Sequence, residues 1–228
     1  MDLSGIDVIC FDGDDTLWDF ETSMWGALAA VTEHLEAAGI TRRGSPVTPR
    51  WLHSLWTEAA SRSRGAPMAS IRRESFAAMR DVCAPDRDDL VDELWGVYRA
   101  SRLAELRLYP DAADALTRLR ADFRLALVSN GNTYPDQLGI EDAFEVVVMA
   151  QDCGLRKPDP AIYHHVRGLF GVPSGRILHV GDHPVEDVTA AANAGFAVAW
   201  LNRGATEWPL PDPAPRTLRG LDELRGPR

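Results

Sequence analysis

Apolar positions occur in two patterns along the chain, and each predicts a different secondary structure. Short, nearly continuous apolar runs are typical of strands buried in a parallel sheet. These runs cover residues 5–11, 123–128, 145–149, 176–180 and 196–201. Apolar residues at helical spacing predict helices over 22–38, after Pro49, and over 68–82, 87–103, 111–121, 161–170 and 185–194.

The order of these elements predicts an α/β fold. After Pro110 strands and helices alternate, which is typical of a doubly wound parallel sheet with helices on both faces. Between the first two strands only helical patterns occur, and they predict an inserted bundle of roughly four helices. We therefore expect an α/β core over 1–17 and 107–228, with an inserted all-helical domain over 18–106. The insertion should lie above the carboxyl ends of the strands, where open α/β sheets bind ligands.

Composition excludes several classes of partner. A formal net charge of −10 argues against a nucleic acid polymer, since phosphate backbones attract basic surfaces. We expect no membrane association, because no segment resembles a signal peptide and none approaches the ~20 apolar residues of a membrane helix. Three widely spaced cysteines indicate reduced thiols in a cytoplasmic protein. The sequence leaves the oligomeric state open between monomer and homodimer.

Acidic residues crowd the end of the first predicted strand, at Asp12, Asp14 and Asp15. Carboxylates this close together repel one another, and oxygen ligands of this kind suit Mg²⁺. In an extended segment Asp12 and Asp14 point the same way and could act on one substrate. One could attack phosphorus while the other handles the proton of the leaving group.

Three later segments carry groups that an anionic substrate would need. Ser129 and the amides that follow it, beginning with that of Asn130, can form an anion-binding turn after a strand. Lys157 is the single lysine among 24 basic residues, so it is either accidental or marks a place that requires a compact ammonium. Asp182 follows another strand, and Asp187 lies near the start of the next helix, within reach of the same site.

These segments, in this order, resemble the haloacid dehalogenase superfamily of phosphohydrolases. The family's Asp-x-Asp-x-Thr-Leu motif is matched at 12–17, and its second motif by Ser129 after a strand. The third is matched by Lys157 in a Lys-Pro-Asp-Pro run, and the fourth by Asp182 after a glycine, with Asp187 five residues on. The resemblance covers nearly the whole chain. It implies a Rossmann-like core, a helical cap of the C1 type, and a flap near 17–24 that couples the two.

The resemblance also implies a cofactor and its ligands. Mg²⁺ would be held by Asp12, by the backbone carbonyl of Asp14 and by Asp182. Asp187 would be either a ligand through water or the residue that orients Lys157.

Catalytic roles follow from the same resemblance. Asp12 is implied to be the nucleophile and Asp14 the acid and base. Phosphate oxygens would be held by Ser129, Asn130 and Lys157, the last of which would also neutralise charge on Asp12. Supporting positions are Thr16 and Gly181.

Two residues depart from the pattern of the family. Asp15 stands where glycine is common, and we expect its carboxylate to point away from phosphate. His183 stands where a small hydroxyl residue is frequent, and it either touches substrate or is solvated.

The function that these features favour is a phosphomonoester phosphatase for a small phosphate ester: a nucleotide, phosphoglycolate or a sugar phosphate. A 2-haloacid dehalogenase is the alternative, but that branch lacks the second aspartate that Asp14 provides here. A sugar-phosphate mutase and a non-catalytic regulatory protein also remain open. Selectivity would depend on the inserted helices, where Arg72 and Arg73 could bind a distal anion or form a solvated face. Trp51 and Trp56 could line a pocket or pack in the core.

Overall fold

Six parallel strands form the sheet in the computed structural model, which describes residues 3–63 and 65–226. The strands are β1 Val8–Phe11, β2 Arg124–Ser129, β3 Val146–Met149, β4 Ile177–Gly181, β5 Ala197–Leu201 and β6 Arg216–Leu218. Their order across the sheet is β3-β2-β1-β4-β5-β6, and each neighbouring pair is parallel. The predicted doubly wound α/β fold is confirmed.

The α-helices are α1 Phe20–Ala37, α2 Pro49–Arg62, α3 Met68–Cys83, α4 Leu90–Glu105, α5 Ala112–Leu119, α6 Ala150–Cys153, α7 Pro160–Phe170 and α8 Ala190–Asn193. A π-helix, Pro184–Thr189, precedes α8 directly. None of the helices in the described residues combines the length and apolar character needed to cross a membrane.

The chain divides into two compact units. One contains the described parts of Met1–Asp19 and Leu108–Arg228, and the other contains Phe20–Arg107 without residue 64. The first unit therefore carries the sheet with α5–α8, and the second carries α1–α4.

Helix α7 illustrates how the sequence builds the layer that covers the sheet. The Asp159 side chain accepts a hydrogen bond from the Ala161 N–H, and Pro160 occupies the first turn. These features favour a helix start, and Gly171 ends the helix at a φ of 68°, which glycine adopts without strain. The buried face of α7 consists of Ile162, Tyr163, Val166 and Phe170. Each such side chain contributes about 1.5–3 kcal/mol by leaving water.

Apolar residues of α1–α4 form a separate core in the helical unit. Its largest fully buried members include Leu28, Leu35, Leu52, Phe76, Met79 and Leu90. The amphipathic spacing read from the sequence therefore matches the buried faces of these helices.

The segment 185–194 differs from its predicted form, a continuous α-helix. Its first part is the π-helix, and the ring Nδ1 of His183, the residue before that helix, accepts hydrogen bonds from the Val185 and Glu186 N–H groups. The Thr189 hydroxyl donates to the Pro184 carbonyl at 3.0 Å. The His183 ring thus caps N–H groups that lack a partner at the start of any helix, and the Thr189 bond spans five residues. Short π-helical turns often occur at functional sites. Strand β6 was not predicted either.

Candidate active site

Asp12 and Asp182 lie at the carboxyl ends of the two central strands. Strands β1 and β4 are neighbours, with Phe11 paired to Val180, so the residues that follow them emerge side by side. The Asp12 N–H donates to the Val180 carbonyl at 2.9 Å, so the hydrogen-bond ladder between the two strands continues to Asp12. The strand order reverses here, and at such a point an open parallel sheet leaves a crevice for ligands.

The ammonium of Lys157 forms ion pairs with two of the acidic residues that were predicted to belong to the site. Its Nζ lies 2.5 Å from Asp12 Oδ1 and 2.6 Å from Asp187 Oδ1. All three residues are buried, with exposed fractions of 3% for Lys157, 6% for Asp12 and 1% for Asp187. At this depth the ion pairs are poorly screened, so removing any one member would leave an uncompensated buried charge.

Asp182 completes the cluster. One carboxylate oxygen each from Asp12, Asp182 and Asp187 lie within 4.8 Å of one another. When all three carboxylates are ionised, the ammonium of Lys157 leaves two negative charges uncompensated. A divalent cation with oxygen ligands would balance this excess, so the donor set fits Mg²⁺.

The crowding of charged groups in this cluster shifts their pKa values. Burial raises the pKa of Asp12 well above its usual value, and the carboxylates of Asp187 and Asp182 add to the effect. Burial and the nearby Asp187 raise the pKa of Asp182 to about 7. Burial alone would lower the pKa of Lys157, but Asp12 and Asp187 outweigh it and hold that pKa well above its usual value. Ionised carboxylates therefore need more positive charge than Lys157 provides.

Asp187 is held from several sides. Its Oδ1 lies 3.1 Å from His179 Nε2, and its Oδ2 accepts a hydrogen bond from the His183 N–H at 3.0 Å. Burial by itself would raise the pKa of Asp187, but Lys157 and His179 outweigh it and lower that pKa. Gly181 packs against this side chain, and a Cβ there would collide with the Asp187 carboxyl carbon. Only glycine therefore fits beside Asp187 at this point of β4.

The Asp14 carboxylate does not belong to this cluster of carboxylates. The indole N–H of Trp18 donates to Asp14 Oδ1 at 2.6 Å, and Oδ2 lies against Gly131, where a Cβ would collide with it. Asp15 adopts a φ of 58°, the left-handed region that favours glycine and that aspartate tolerates better than most residues. Thr16 is buried, and its hydroxyl lies 3.5 Å from Asp182 Oδ1.

The side chains of Ser129 and Asn130, at the end of β2, form hydrogen bonds with other groups of the protein. Ser129 is buried, and its Oγ accepts a hydrogen bond from the Gly131 N–H at 3.0 Å. The carboxamide of Asn130 bonds to the backbone of Lys157 and to the carboxylate of Glu186. These bonds occupy its side-chain donors, so a phosphate contact would have to come from the Asn130 backbone.

Arg203 braces the turn that carries Asp14. Its guanidinium bonds the Asp111 carboxylate at 2.9 and 3.1 Å and donates to the Thr16 carbonyl at 2.9 Å. It also lies 4.0 Å from the centre of the Tyr109 ring. Sequence reasoning missed this residue, as it missed Trp18, His179 and Glu186. Arg203 is 187 positions from Thr16, and no local pattern identifies a contact of that separation.

The residues considered for substrate selection lie in the helical unit. Arg72 is buried at 5% exposure, and its guanidinium lies 5.2 Å from the Trp56 ring and 4.7 Å from the Tyr98 ring. Arg73 is more exposed and pairs with Asp92. The two arginines thus have different environments on the same helix.

A family model described as haloacid dehalogenase-like hydrolase matches residues 6–195. The chain belongs to this family of hydrolases.

Known relatives include enzymes with different named reactions. The chain is 25% identical to N-acylneuraminate-9-phosphatase of Rattus norvegicus, over 92% of this chain and 90% of that protein. It is 28% identical to glyceraldehyde 3-phosphate phosphatase of Pyrococcus abyssi (strain GE5 / Orsay), over 87% and 82% of the two chains. A solved 2-haloacid dehalogenase from Pseudomonas syringae pv. Tomato DC3000 is 29% identical, with a TM-score of 0.78 and 96% of each chain covered. The reaction must therefore be argued from the site residues.

Proposed function

We propose that this protein is a Mg²⁺-dependent phosphomonoester phosphatase that acts on a small phosphorylated metabolite through a phosphoryl-aspartate on Asp12. The main support is the contact of one buried ammonium, that of Lys157, with Asp12 and Asp187 beside Asp182. The names of the curated phosphatase relatives support the same reaction class. The free cysteines are consistent with a cytoplasmic location.

The candidate metal ligands are Asp12, Asp182 and Asp187, together with the backbone carbonyl of Asp14. When bound, Mg²⁺ would neutralise charge on these carboxylates and on the phosphoryl oxygens.

In the first half of the reaction, a carboxylate oxygen of Asp12 attacks phosphorus and the bond to the leaving oxygen breaks. Asp14 gives a proton to that oxygen, so an alcohol leaves and the phosphoryl group stays on Asp12. Lys157 stays protonated, because its pKa is raised, and offsets negative charge on Asp12 and on the phosphoryl group.

In the second half, the ionised Asp14 takes a proton from water, which attacks the phosphorus of the phosphoryl-aspartate. The bond between phosphorus and Asp12 breaks, inorganic phosphate leaves, and both aspartates return to their starting states. Ser129 and the Asn130 backbone are the proposed donors to the phosphate oxygens. Phosphoryl transfer depends mainly on positioning and charge neutralisation, which a buried, fixed cluster of this kind favours.

A 2-haloacid dehalogenase is the second candidate, because the solved relative of that name covers nearly the whole chain. Halide needs no proton when it leaves, whereas an alkoxide does. Asp14, held by the Trp18 indole, is the group that would supply that proton, and it favours the phosphatase.

Hydrolysis of p-nitrophenyl phosphate with and without Mg²⁺ tests the proposal. We expect turnover that needs the metal and that falls by at least a thousandfold in Asp12→Asn, because the amide is a poor nucleophile. Chloride release from 2-chloropropionate, measured alongside, is the counter-test. Chloride release without phosphatase activity would overturn the proposal in favour of the dehalogenase.

A further inference from the structure

The side chain of Asn130 makes its contacts with the backbone of another loop. Its Oδ1 accepts a hydrogen bond from the Lys157 N–H at 2.9 Å, and its Nδ2 donates to the Lys157 carbonyl at 2.8 Å. Both backbone groups of Lys157 are therefore paired with one carboxamide that lies 27 positions earlier in the chain.

Glu186 accounts for the remaining proton of the carboxamide. Nδ2 also donates to Glu186 Oε2 at 2.7 Å. A carboxamide offers two N–H donors and one carbonyl oxygen, and here each donor has an acceptor and the oxygen has a donor. The reversed orientation would set the amide oxygen against the Lys157 carbonyl and the Glu186 carboxylate, so the contacts fix the orientation of the amide. The side chain has no N–H left for a phosphate oxygen.

Glu186 is itself held in place. Its carbonyl accepts a hydrogen bond from the Tyr163 hydroxyl at 2.5 Å, and its N–H donates to His183 Nδ1 at 3.1 Å. It is the neighbour of Asp187, which accepts a hydrogen bond from the Lys157 ammonium at 2.6 Å. Asn130 thus connects the loop after β2, the backbone of Lys157 and the π-helix that carries Asp187.

We propose that Asn130, supported by Glu186, is a positioning residue that fixes the backbone of Lys157 so that its ammonium bridges Asp12 and Asp187. Lysine has a long flexible stem, and ordering it costs side-chain entropy. The Asn130 carboxamide holds the backbone of Lys157, while Asp12 and Asp187 hold its ammonium. Few rotamers of the lysine side chain satisfy both sets of contacts, so the position of the positive charge is fixed. This proposal rests on the proposed phosphatase function for its kinetic test, but not for its structural test.

The kinetic test compares Asn130→Asp with Asn132→Asp. Both changes convert an amide to a carboxylate in the same loop, and Asn132 makes no side-chain hydrogen bond that we find in the described part of the chain. With p-nitrophenyl phosphate and Mg²⁺, we expect Asn130→Asp to lower kcat by about 10–100-fold, as for other residues that orient a site ligand, with KM changed less than about threefold. Asn132→Asp should stay within about twofold of the parent in both constants, because it breaks no such bond.

A second substitution, at Glu186, distinguishes a positioning role of Asn130 from direct contact with phosphate. In Asn130→Asp the new carboxylate faces that of Glu186, and Glu186→Gln would replace this repulsion with a hydrogen bond. We expect the double variant to recover at least about threefold in kcat over Asn130→Asp, which corresponds to an activation free energy lower by about 0.65 kcal/mol. A raised KM, weaker inhibition by orthovanadate and no rescue would assign Asn130 to phosphate binding and overturn the proposal.

Amide hydrogen exchange at Lys157 tests the same contact without activity. We expect the Lys157 N–H to exchange at least tenfold faster in Asn130→Ala than in the parent or in Asn132→Ala, because alanine removes the side-chain oxygen that accepts its hydrogen bond. Unchanged exchange would overturn the proposal even if the enzyme is active. Faster exchange in a protein that shows no phosphatase activity would retain the positioning role and reject the proposed function.

Discussion

The indole N–H of Trp18 donates a hydrogen bond to Asp14 Oδ1 at 2.6 Å. Trp18 is fully buried, and its ring also lies where a Cβ on Gly13 would be. A buried, rigid donor orients the Asp14 carboxyl group within the turn that follows β1. The fixed orientation matters because a proton donor must be within hydrogen-bond reach of the leaving oxygen.

Trp18→Phe should therefore impair proton transfer more than nucleophilic attack. We expect kcat to fall about tenfold for an alkyl phosphate, whose leaving group needs the proton. The loss should be smaller for p-nitrophenyl phosphate, whose leaving group does not. Trp208→Phe is the control, since that indole donates to the Asp212 carbonyl in an exposed segment. Equal losses for the two substrates in Trp18→Phe would argue against a role for Trp18 in orienting Asp14.

Gly131→Ala tests the space beside Asp14. A Cβ at this position would collide with Asp14 Oδ2 and lie 3.2 Å from Ser129 Oγ, so both side chains would have to move. We expect kcat to fall by about two orders of magnitude, since small displacements at a phosphoryl-transfer site have large effects. Gly168→Ala is the matched control: its Cβ meets nothing within 4 Å on helix α7, and it should raise the free energy of unfolding by about 0.5–1 kcal/mol. Normal turnover in Gly131→Ala would show that Asp14 can relocate without penalty.

Lys157→Arg keeps the charge but changes its shape. A planar, longer guanidinium does not fit between Asp12 and Asp187 at the distances the ammonium makes, so we expect loss of most activity. Lys157→Met removes the charge and should lower the free energy of unfolding by about 3–5 kcal/mol in metal-free buffer, because two buried carboxylates lose their partner. Steady-state kinetics and urea unfolding measure the two effects. Near-normal turnover by Lys157→Arg would contradict the proposed role.

Metal binding should be visible as a gain in stability. At a Mg²⁺ concentration 100 times its dissociation constant, the free energy of unfolding should rise by about 2.7 kcal/mol, because the ion binds the folded cluster. Asp182→Asn should reduce this gain, while Asp142→Asn, an exposed acidic residue outside the cluster, should not. Calorimetric unfolding with and without EDTA gives the comparison. A stability that is independent of Mg²⁺ in the parent protein would count against the metal assignment.

The Asp111–Arg203 pair should stabilise the fold in a pH-dependent way. Burial alone would raise the pKa of Asp111, but hydrogen bonds from Arg203 and from the Leu221 N–H lower it below the ordinary value of 3.8. A lowered folded-state pKa means that the stabilisation is present above pH 3.8 and is lost as the pH falls through the folded-state value. Asp111→Asn should therefore lower the free energy of unfolding by about 1 kcal/mol at pH 7, a modest value because the pair is partly exposed.

Urea unfolding at a series of pH values tests this dependence. The difference between parent and Asp111→Asn should be constant from pH 7 down to about pH 5 and should shrink in stronger acid. A difference that grows toward low pH would mean that the pKa of Asp111 is raised in the folded state, opposite to our expectation.

The spacing of apolar residues along the chain was sufficient to predict the α/β fold, because this spacing differs between buried parallel strands and amphipathic helices. Strand β6 was missed, since three residues after a proline-rich segment carry too little pattern. The π-helix was missed because the apolar spacing of 185–194 suits an α-helix and does not reveal the wider turn.

The sequence by itself determined the order of the elements, the chemical types at the candidate site and the placement of Asp12 and Asp182 after strands. It could do so because these features depend on neighbours within a few residues along the chain. Only the tertiary structure decided that one carboxamide, that of Asn130, holds the backbone of Lys157, that Trp18 holds Asp14 and that Arg203 supports the turn. Such contacts depend on where distant loops meet in space, and hydrogen bonds at those meetings leave no periodic signal in the chain.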